Sequence, residues 1–400
     1  MLMRKRMWAG VLALVLLTAG CAGSKAHQAG SGDTGSAASS AVKVAVVYSK
    51  TGLLAAYGAE YLQGFEAGLS YATHGTMKAG GHPLQVSYAD DAGDPAKATA
   101  AAKQYIGEGY KILAGTTDSG VATQLAPLAA QNHILYISGP AASDGLTGVN
   151  KYTFRSGRQT YQDVATAGTF VGDPAGKTVL VFAQDTTFGQ GNAAAVKQVL
   201  GAQGAKVSSL LVPATATDFT PFAQRAAQVK ADMIFVAWAG TTTQAMWQAL
   251  DQQQVLDSTT VVTGLANAAS FGAYGPGSDK IKFLSYYFPG AADNAVNTAM
   301  INAIKQAGGT PDLFSPDGFV AAQMVVHAVE QAGGPDVDKM ISALDGWTFQ
   351  APKGQETVRS GDHAMLQPMF EAQLVKQGSS WVPKLVATVP ADKTAPPSNG

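Results

Sequence analysis

Few side chains in this sequence are arranged for covalent chemistry. Cys21 is the single cysteine of 400 residues, so neither an internal disulfide nor a thiolate metal site can be built from it. The six histidines, His27, His74, His82, His133, His327 and His363, are scattered without zinc-type spacing. There is no Gly-x-Ser-x-Gly elbow. Phe188-Gly189-Gln190-Gly191 lacks the rest of a dinucleotide fingerprint and reads as a turn. What remains suits non-covalent binding. Ser119 follows a strand-like run and opens a helix-like one, where a hydroxyl and free N–H groups at a helix start can hold a carboxylate. The same position equally suits a plain N-cap. Tyr57, Phe188 and Trp238 offer the area from which pocket walls are built, or ordinary packing under loops. Asp118 and Asp185 are acids on turns, available to a ligand cation or as caps. No metal or cofactor is expected.

Such groups need elements to position them. Val42–Val47 reads as a buried strand, followed by an amphipathic helix around Gly58–Tyr71. Leu84–Ala89 alternates like a strand, and Asp94-Pro95 starts a helix as N-cap and first residue. Lys111–Ala114 and Ile134–Ile137 flank a helix at Ser119–Asn132, and Tyr152–Arg155 adds a strand. Further strands fall near Thr178–Phe182, Val207–Val212, Met233–Trp238 and Thr259–Val262, with helices between them. This alternation predicts an α/β architecture with mostly parallel sheets. After Phe283–Tyr287 the rhythm changes to helices near Ala291–Ala307, Pro316–Gly333 and Val337–Leu344, then a strand-rich stretch Trp347–Val389. Length favours two domains, and a late helical block that returns to the first of them implies a hinged, two-lobed body. With 27 Lys+Arg against 28 Asp+Glu there is no basic excess, so nucleic acid is not an expected partner.

The N-terminus has its own pattern. Arg4, Lys5 and Arg6 precede an apolar run, Met7–Leu17, shorter than the roughly 20 residues of a spanning helix. The ending Leu17-Thr18-Ala19-Gly20-Cys21 resembles the lipobox of bacterial lipoproteins. That resemblance implies a signal peptide over 1–20 and an extracytoplasmic chain anchored to a membrane by lipid on Cys21. Residues 21–41 are rich in Ala, Gly and Ser and read as a flexible tether. Residues 390–400 read as a disordered tail.

Between these ends, four stretches resemble the Leu/Ile/Val-type (branched-chain amino acid family) substrate-binding proteins of ABC importers. They are Tyr48–Gly58, Ala89–Ala98, Ile112–Gly115 with Ser119, Ala126-Pro127 and Ile137-Ser138, and Asp185–Gly189. The resemblance covers residues 42 to 389. It implies the type I periplasmic binding protein fold, two Rossmann-like lobes joined by a three-segment hinge. The lobes would be 42–157 plus 288–346, and 158–287 plus 347–389. It also implies a monomeric receptor, not an enzyme, that closes on an amino acid or related small carboxylate or amide and delivers it to an ABC permease and ATPase.

By the same resemblance Ser119 binds ligand, and so does the turn Ser138–Ser143. Pro140 lies on that turn, and the family's threonine falls at Ala142, with Ser143 as a substitute if the turn is shifted. Tyr57 and Phe188 match aromatic positions of the family pocket, and Trp238 ends a strand near where the family places another aromatic. One departure stands out. Where the family carries a glutamate for the ligand ammonium, this chain reads Thr263-Gly264-Leu265-Ala266-Asn267. Asp118 or Asp185 would have to take that role, or the ligand has no amine. A sensory receptor of the same fold, and a surface-anchored hydrolase using Ser119, are the competing readings.

Overall fold

A computed structural model describes residues 40–398. The expected signal peptide, Cys21 and nearly all of the tether lie outside the described residues.

The first lobe is built on a six-stranded sheet in the order β2-β3-β1-β4-β5-β6. Its strands are β1 (Val42–Tyr48), β2 (Lys78–Ala79), β3 (His82–Asp90), β4 (Ile112–Ala114), β5 (Leu135–Ser138) and β6 (Thr153–Arg155). All pairs are parallel except the short hairpin of β2 with β3. Helices α1 (Ala55–Ala72), α2 (Pro95–Gly107) and α3 (Ser119–Asn132) connect them. The central strand β1 is apolar on both faces because both are covered. Val42, Val44 and Val46 enter one core, Ala45 and Val47 the other. The first core is closed by α1 and by α10 (Ser315–Ala332), which returns from late in the chain. Their close approach depends on glycine: a Cβ at Gly64 would collide with the Ser315 carbonyl, and one at Gly318 with the Tyr61 carbonyl.

The second lobe carries a seven-stranded sheet, β16-β15-β11-β10-β9-β7-β8. It comprises β7 (Thr178–Asp185), β8 (Lys206–Pro213), β9 (Met233–Ala237), β10 (Thr260–Gly264), β11 (Ile281–Ser285), β15 (Met369–Gln377) and β16 (Ser380–Val389). The first five are mutually parallel, and β15 and β16 add antiparallel. Leu180 and Phe182 of β7 face one core, Val179, Val181 and Ala183 the other. Helices α4 (Thr160–Gly168), α5 (Thr187–Val196), α6 (Thr220–Val229), α7 (Thr243–Gln252) and α8 (Val255–Ser258) belong to this half of the chain. Phe188-Gly189-Gln190-Gly191, expected as a turn, is instead the opening of α5. Thr186 caps that helix through its Oγ1, which accepts the Gly189 N–H at 3.2 Å.

Two expected boundaries shift. A three-stranded antiparallel sheet, β12 (Thr348–Ala351), β13 (Gly354–Val358) and β14 (Met365–Leu366), follows α9 (Ala295–Gln306) and α11 (Val337–Leu344). Its Phe349, Ala351, Val358 and Met365 enter the first lobe's core, so the return to the second lobe comes after Leu366 and not at 347. The tail is also packed: α12 (Ala391–Thr394) buries Thr394, and Arg359 donates to the carbonyls of Pro396 at 2.6 Å and Pro397 at 3.2 Å. Composition hid this, because the partner is an arginine distant in sequence. The chain passes between the lobes after β6, after β11 and after β14.

Candidate ligand-binding site

Strands β4, β5 and β6 of the first lobe, and β7, β9, β10 and β11 of the second, end toward a common cleft. The loops leaving them enclose a cavity of about 290 Å³. Backbone hydrogen bonding within the sheets positions these strand ends, and the residues just past them are free to face the cleft.

In the first lobe, α3 begins at the cavity. The cap is Asp118, not Ser119: its Oδ1 accepts the Val121 N–H at 2.9 Å. Ser119 is the first helical residue, and its Oγ accepts the Ala142 N–H at 3.2 Å. The hydroxyl thus ties α3 to the turn after β5. Both Asp118 and Ser119 line the cavity, with Pro140 and Ala142 beside them. Burial raises the Asp118 carboxyl above its ordinary value, and the charge of Asp91 adds to this. Among the described residues no cation pairs with Asp118.

Arg158, on the segment after β6, was not anticipated. It is 3% exposed yet lines the cavity. Its Nε donates to Asp163 Oδ1 at 3.3 Å and its Nη1 to the Pro140 carbonyl at 2.6 Å. The guanidinium lies 4.0 Å from the Tyr286 ring centre and 5.7 Å from that of Phe314. Among the described residues its Nη2 has no hydrogen-bond partner. Burial pushes Asp163 up to about 6, against the pull of Arg158.

The second lobe supplies aromatic walls. Trp238 is held by a hydrogen bond from Nε1 to Thr242 Oγ1 at 3.0 Å, with Phe182 stacked at 5.7 Å and Phe219 edge-on at 5.3 Å. Gln184 Oε1 accepts the Ala239 N–H at 3.1 Å, which fixes the loop that carries the indole. Phe188, Thr187, Gln184 and the run Thr263–Ala266 complete this side, and Tyr57 and Leu54 close it from the first lobe. Gly240 is essential to that closure: it has φ of 86°, and a Cβ there would lie 2.5 Å from Leu53 Cγ.

The structure therefore brings Tyr57, Asp118, Ser119, Pro140, Ala142, Phe188 and Trp238 to one cavity. It leaves out two expected residues. Asp185 is exposed, with Oδ1 accepting from Gln190 Nε2 at 2.7 Å. Ser143 is buried away from the cavity, its carbonyl accepting from Arg155 Nη1 at 2.8 Å. Among the described residues no histidine lines the cavity. Arg158 gave one signal in sequence, a cation on the Ser156-Gly157-Arg158 segment that leaves the strand ending at Arg155. Tyr286 gave another, an aromatic at the end of β11.

The family model described as periplasmic binding protein matches residues 41–379. The chain belongs to the periplasmic binding protein family. Among curated relatives, Leu/Ile/Val-binding protein homolog 2 of Brucella abortus is 26% identical over 306 residues, 74% of this chain and 79% of that one. An ABC-type branched-chain amino acid transporter protein from Rhodopseudomonas palustris CGA009 is 32% identical, with TM-score 0.73, covering 88% of this chain and 97% of its own. A solute-binding protein of an ABC transporter from Rhodopseudomonas palustris HaA2, solved with p-hydroxybenzoic acid, is 24% identical with TM-score 0.81, covering 88% and 98%. This binding protein is thus the extracytoplasmic, non-enzymatic substrate-binding component of an ABC transporter, with the type I fold of that family. Among the described residues no helix is long and apolar enough to cross a membrane.

Proposed function

We propose that this binding protein captures a small organic carboxylate with an apolar, ring-sized body and presents it to its ABC permease and ATPase. One observation carries the reading: Arg158 lines the cavity, and among the described residues its Nη2 has no hydrogen-bond partner. A planar fork of donors fixed by Asp163 and Pro140 is preorganised for a carboxylate. The α3 N-terminus adds dipole and N–H groups on the same side. Trp238, Phe188, Tyr57 and Tyr286 would then enclose the ligand body. Ligand held by loops from both lobes favours the closed arrangement, the hinge motion by which such receptors signal occupancy.

Asp118 supports a second reading, an α-amino acid. Its half-buried carboxylate, which pairs with no cation among the described residues, could receive an ammonium. A thermal-shift panel of benzoate, 4-hydroxybenzoate, leucine, phenylalanine and benzamide separates the two. Stabilisation by the acids and not by benzamide supports the carboxylate reading. Stabilisation by amino acids alone, lost in Asp118→Asn, supports the second. A panel in which benzamide equals benzoate refutes the role of Arg158. Lipid attachment at Cys21 is part of the proposal: Cys21→Ser should move the protein from the membrane to the soluble fraction, and unchanged membrane retention would refute it.

A further inference from the structure

Away from the ligand cavity the lobes meet at a second polar contact. Glu60 on α1 and Asp312 on the loop before α10 are both first-lobe residues, and only 7% and 9% exposed. Each takes one hydrogen bond from the second lobe. Asn267 Nδ2 donates to Glu60 Oε1 at 2.8 Å, and the Ala268 N–H donates to Asp312 Oδ2 at 2.9 Å. The remaining oxygens are used within the first lobe. The Phe314 N–H donates to Glu60 Oε2 at 3.2 Å and the Leu313 N–H to Asp312 Oδ1 at 2.8 Å.

Among the described residues no lysine, arginine or histidine pairs with either acid. The titratable groups facing them are phenols: Tyr57, one turn earlier on α1, and Tyr287, just after β11. Both phenols are raised by burial first, and then by Glu60 and Asp312 respectively. Arg158 acts on Tyr57 and not on the acids. From the second lobe the Asn267 amide and the Ala268 peptide donate to the acids, and the Ser270 hydroxyl is bonded to Asn267. Two ionised carboxylates in such a place suffer both desolvation and mutual repulsion. A single proton removes the repulsion and leaves only one charge to be desolvated. Burial pushes Glu60 up to about 8, with the charge of Asp312 adding to it, and burial raises Asp312 as well.

We infer that Glu60 and Asp312 form a proton-holding latch between the lobes: the pair carries one proton while Asn267 and Ala268 are docked on it, and releases it when the lobes part and water enters. The inference rests on the two-lobed hinge, not on which ligand is bound. Its sign follows from linkage. The closed form binds the proton more tightly than the open form, so closure is favoured at low pH. That advantage is lost as pH rises from the ordinary carboxylate range toward about 8. Within that window the closed-to-open ratio changes by up to about tenfold per pH unit.

The test needs no ligand. Val149 in the first lobe and Val229 in the second are exposed, and spin labels at Val149→Cys and Val229→Cys in a Cys21→Ser chain report the interlobe distance. With the acids intact, the short-distance population should rise at least fivefold from pH 8.5 to pH 5.5. In Glu60→Gln, and separately in Asp312→Asn, it should not respond to pH. A population unchanged by pH in the chain with both acids overturns the latch, as does a pH response that survives in both variants. Failure of the carboxylate reading would leave this result untouched, because no carboxylate is added.

Discussion

Neutralising the cavity's cation without disturbing its packing is the most informative perturbation. Arg158→Gln alone would leave Asp163 buried and unpaired, which costs about 3–5 kcal/mol and confounds binding with unfolding. The double variant Arg158→Gln, Asp163→Asn leaves two amides that can bond each other and the Pro140 carbonyl. A ligand carboxylate then loses a charge-assisted hydrogen bond, about 1.5–3 kcal/mol, or roughly ten- to 150-fold in affinity. A neutral amide ligand loses only the difference between two ordinary donors, within about threefold. Isothermal calorimetry at pH 7.5, on the tightest-binding acid of the panel and on its amide, measures both. An acid that binds the double variant within about twofold of the unmodified protein would refute the argument. So would equal losses for acid and amide, which would mark the effect as packing.

Three further outcomes follow from the packing and charge described above. Gly64→Ala forces α1 away from the Ser315 carbonyl and should cost about 1–3 kcal/mol, seen as a lower urea midpoint with unchanged slope; an unchanged midpoint would show that α1 and α10 are not held in contact. Thr242→Val strips the acceptor from the Trp238 N–H and frees the half-buried indole to turn from the cavity, so ring-bearing ligands should weaken up to about tenfold while Thr242→Ser leaves them unchanged, a hydrogen bond being worth about 1 kcal/mol; equal affinities in both variants would remove Trp238 from the site. Glu356 is buried beside Lys353 at 3.6 Å, with neither oxygen accepting a hydrogen bond, and burial, with the charge of Asp317 added, pushes it up to about 7 against the pull of Lys353. Because the folded value is raised, its contribution is fully present below the ordinary carboxylate value and is lost as pH rises toward about 7. Glu356→Gln should therefore match the unmodified protein in chemical denaturation at pH 4.5 and exceed it by about 1–3 kcal/mol at pH 8; no gain at pH 8 would show that Lys353 compensates the charge fully.

The two-lobed α/β organisation and much of the cavity wall were legible in the amino-acid sequence. The reason is local. Apolar runs such as Val42–Val47 and Met233–Ala237 specify strands buried on both faces, and the residues just past parallel strands must face a cleft. Ser119, Ala142, Phe188 and Trp238 were found by that rule together with the family resemblance, and the absence of a second cysteine or a clustered histidine already turned the reading away from covalent chemistry. What depended on tertiary structure were pairings between distant segments. Whether an acid is a cap, a surface charge or a ligand group is set by what the fold packs against it. Asp118 and Asp185 look alike on their turns, yet one is half-buried at the cavity and the other faces water. Arg158 became a site residue only when Asp163, Pro140 and Tyr286 were seen around it. Glu60 and Asp312 lie far apart in sequence and meet only because α10 returns to α1, so their shared burial, and the proton it demands, could be decided by the folded chain alone.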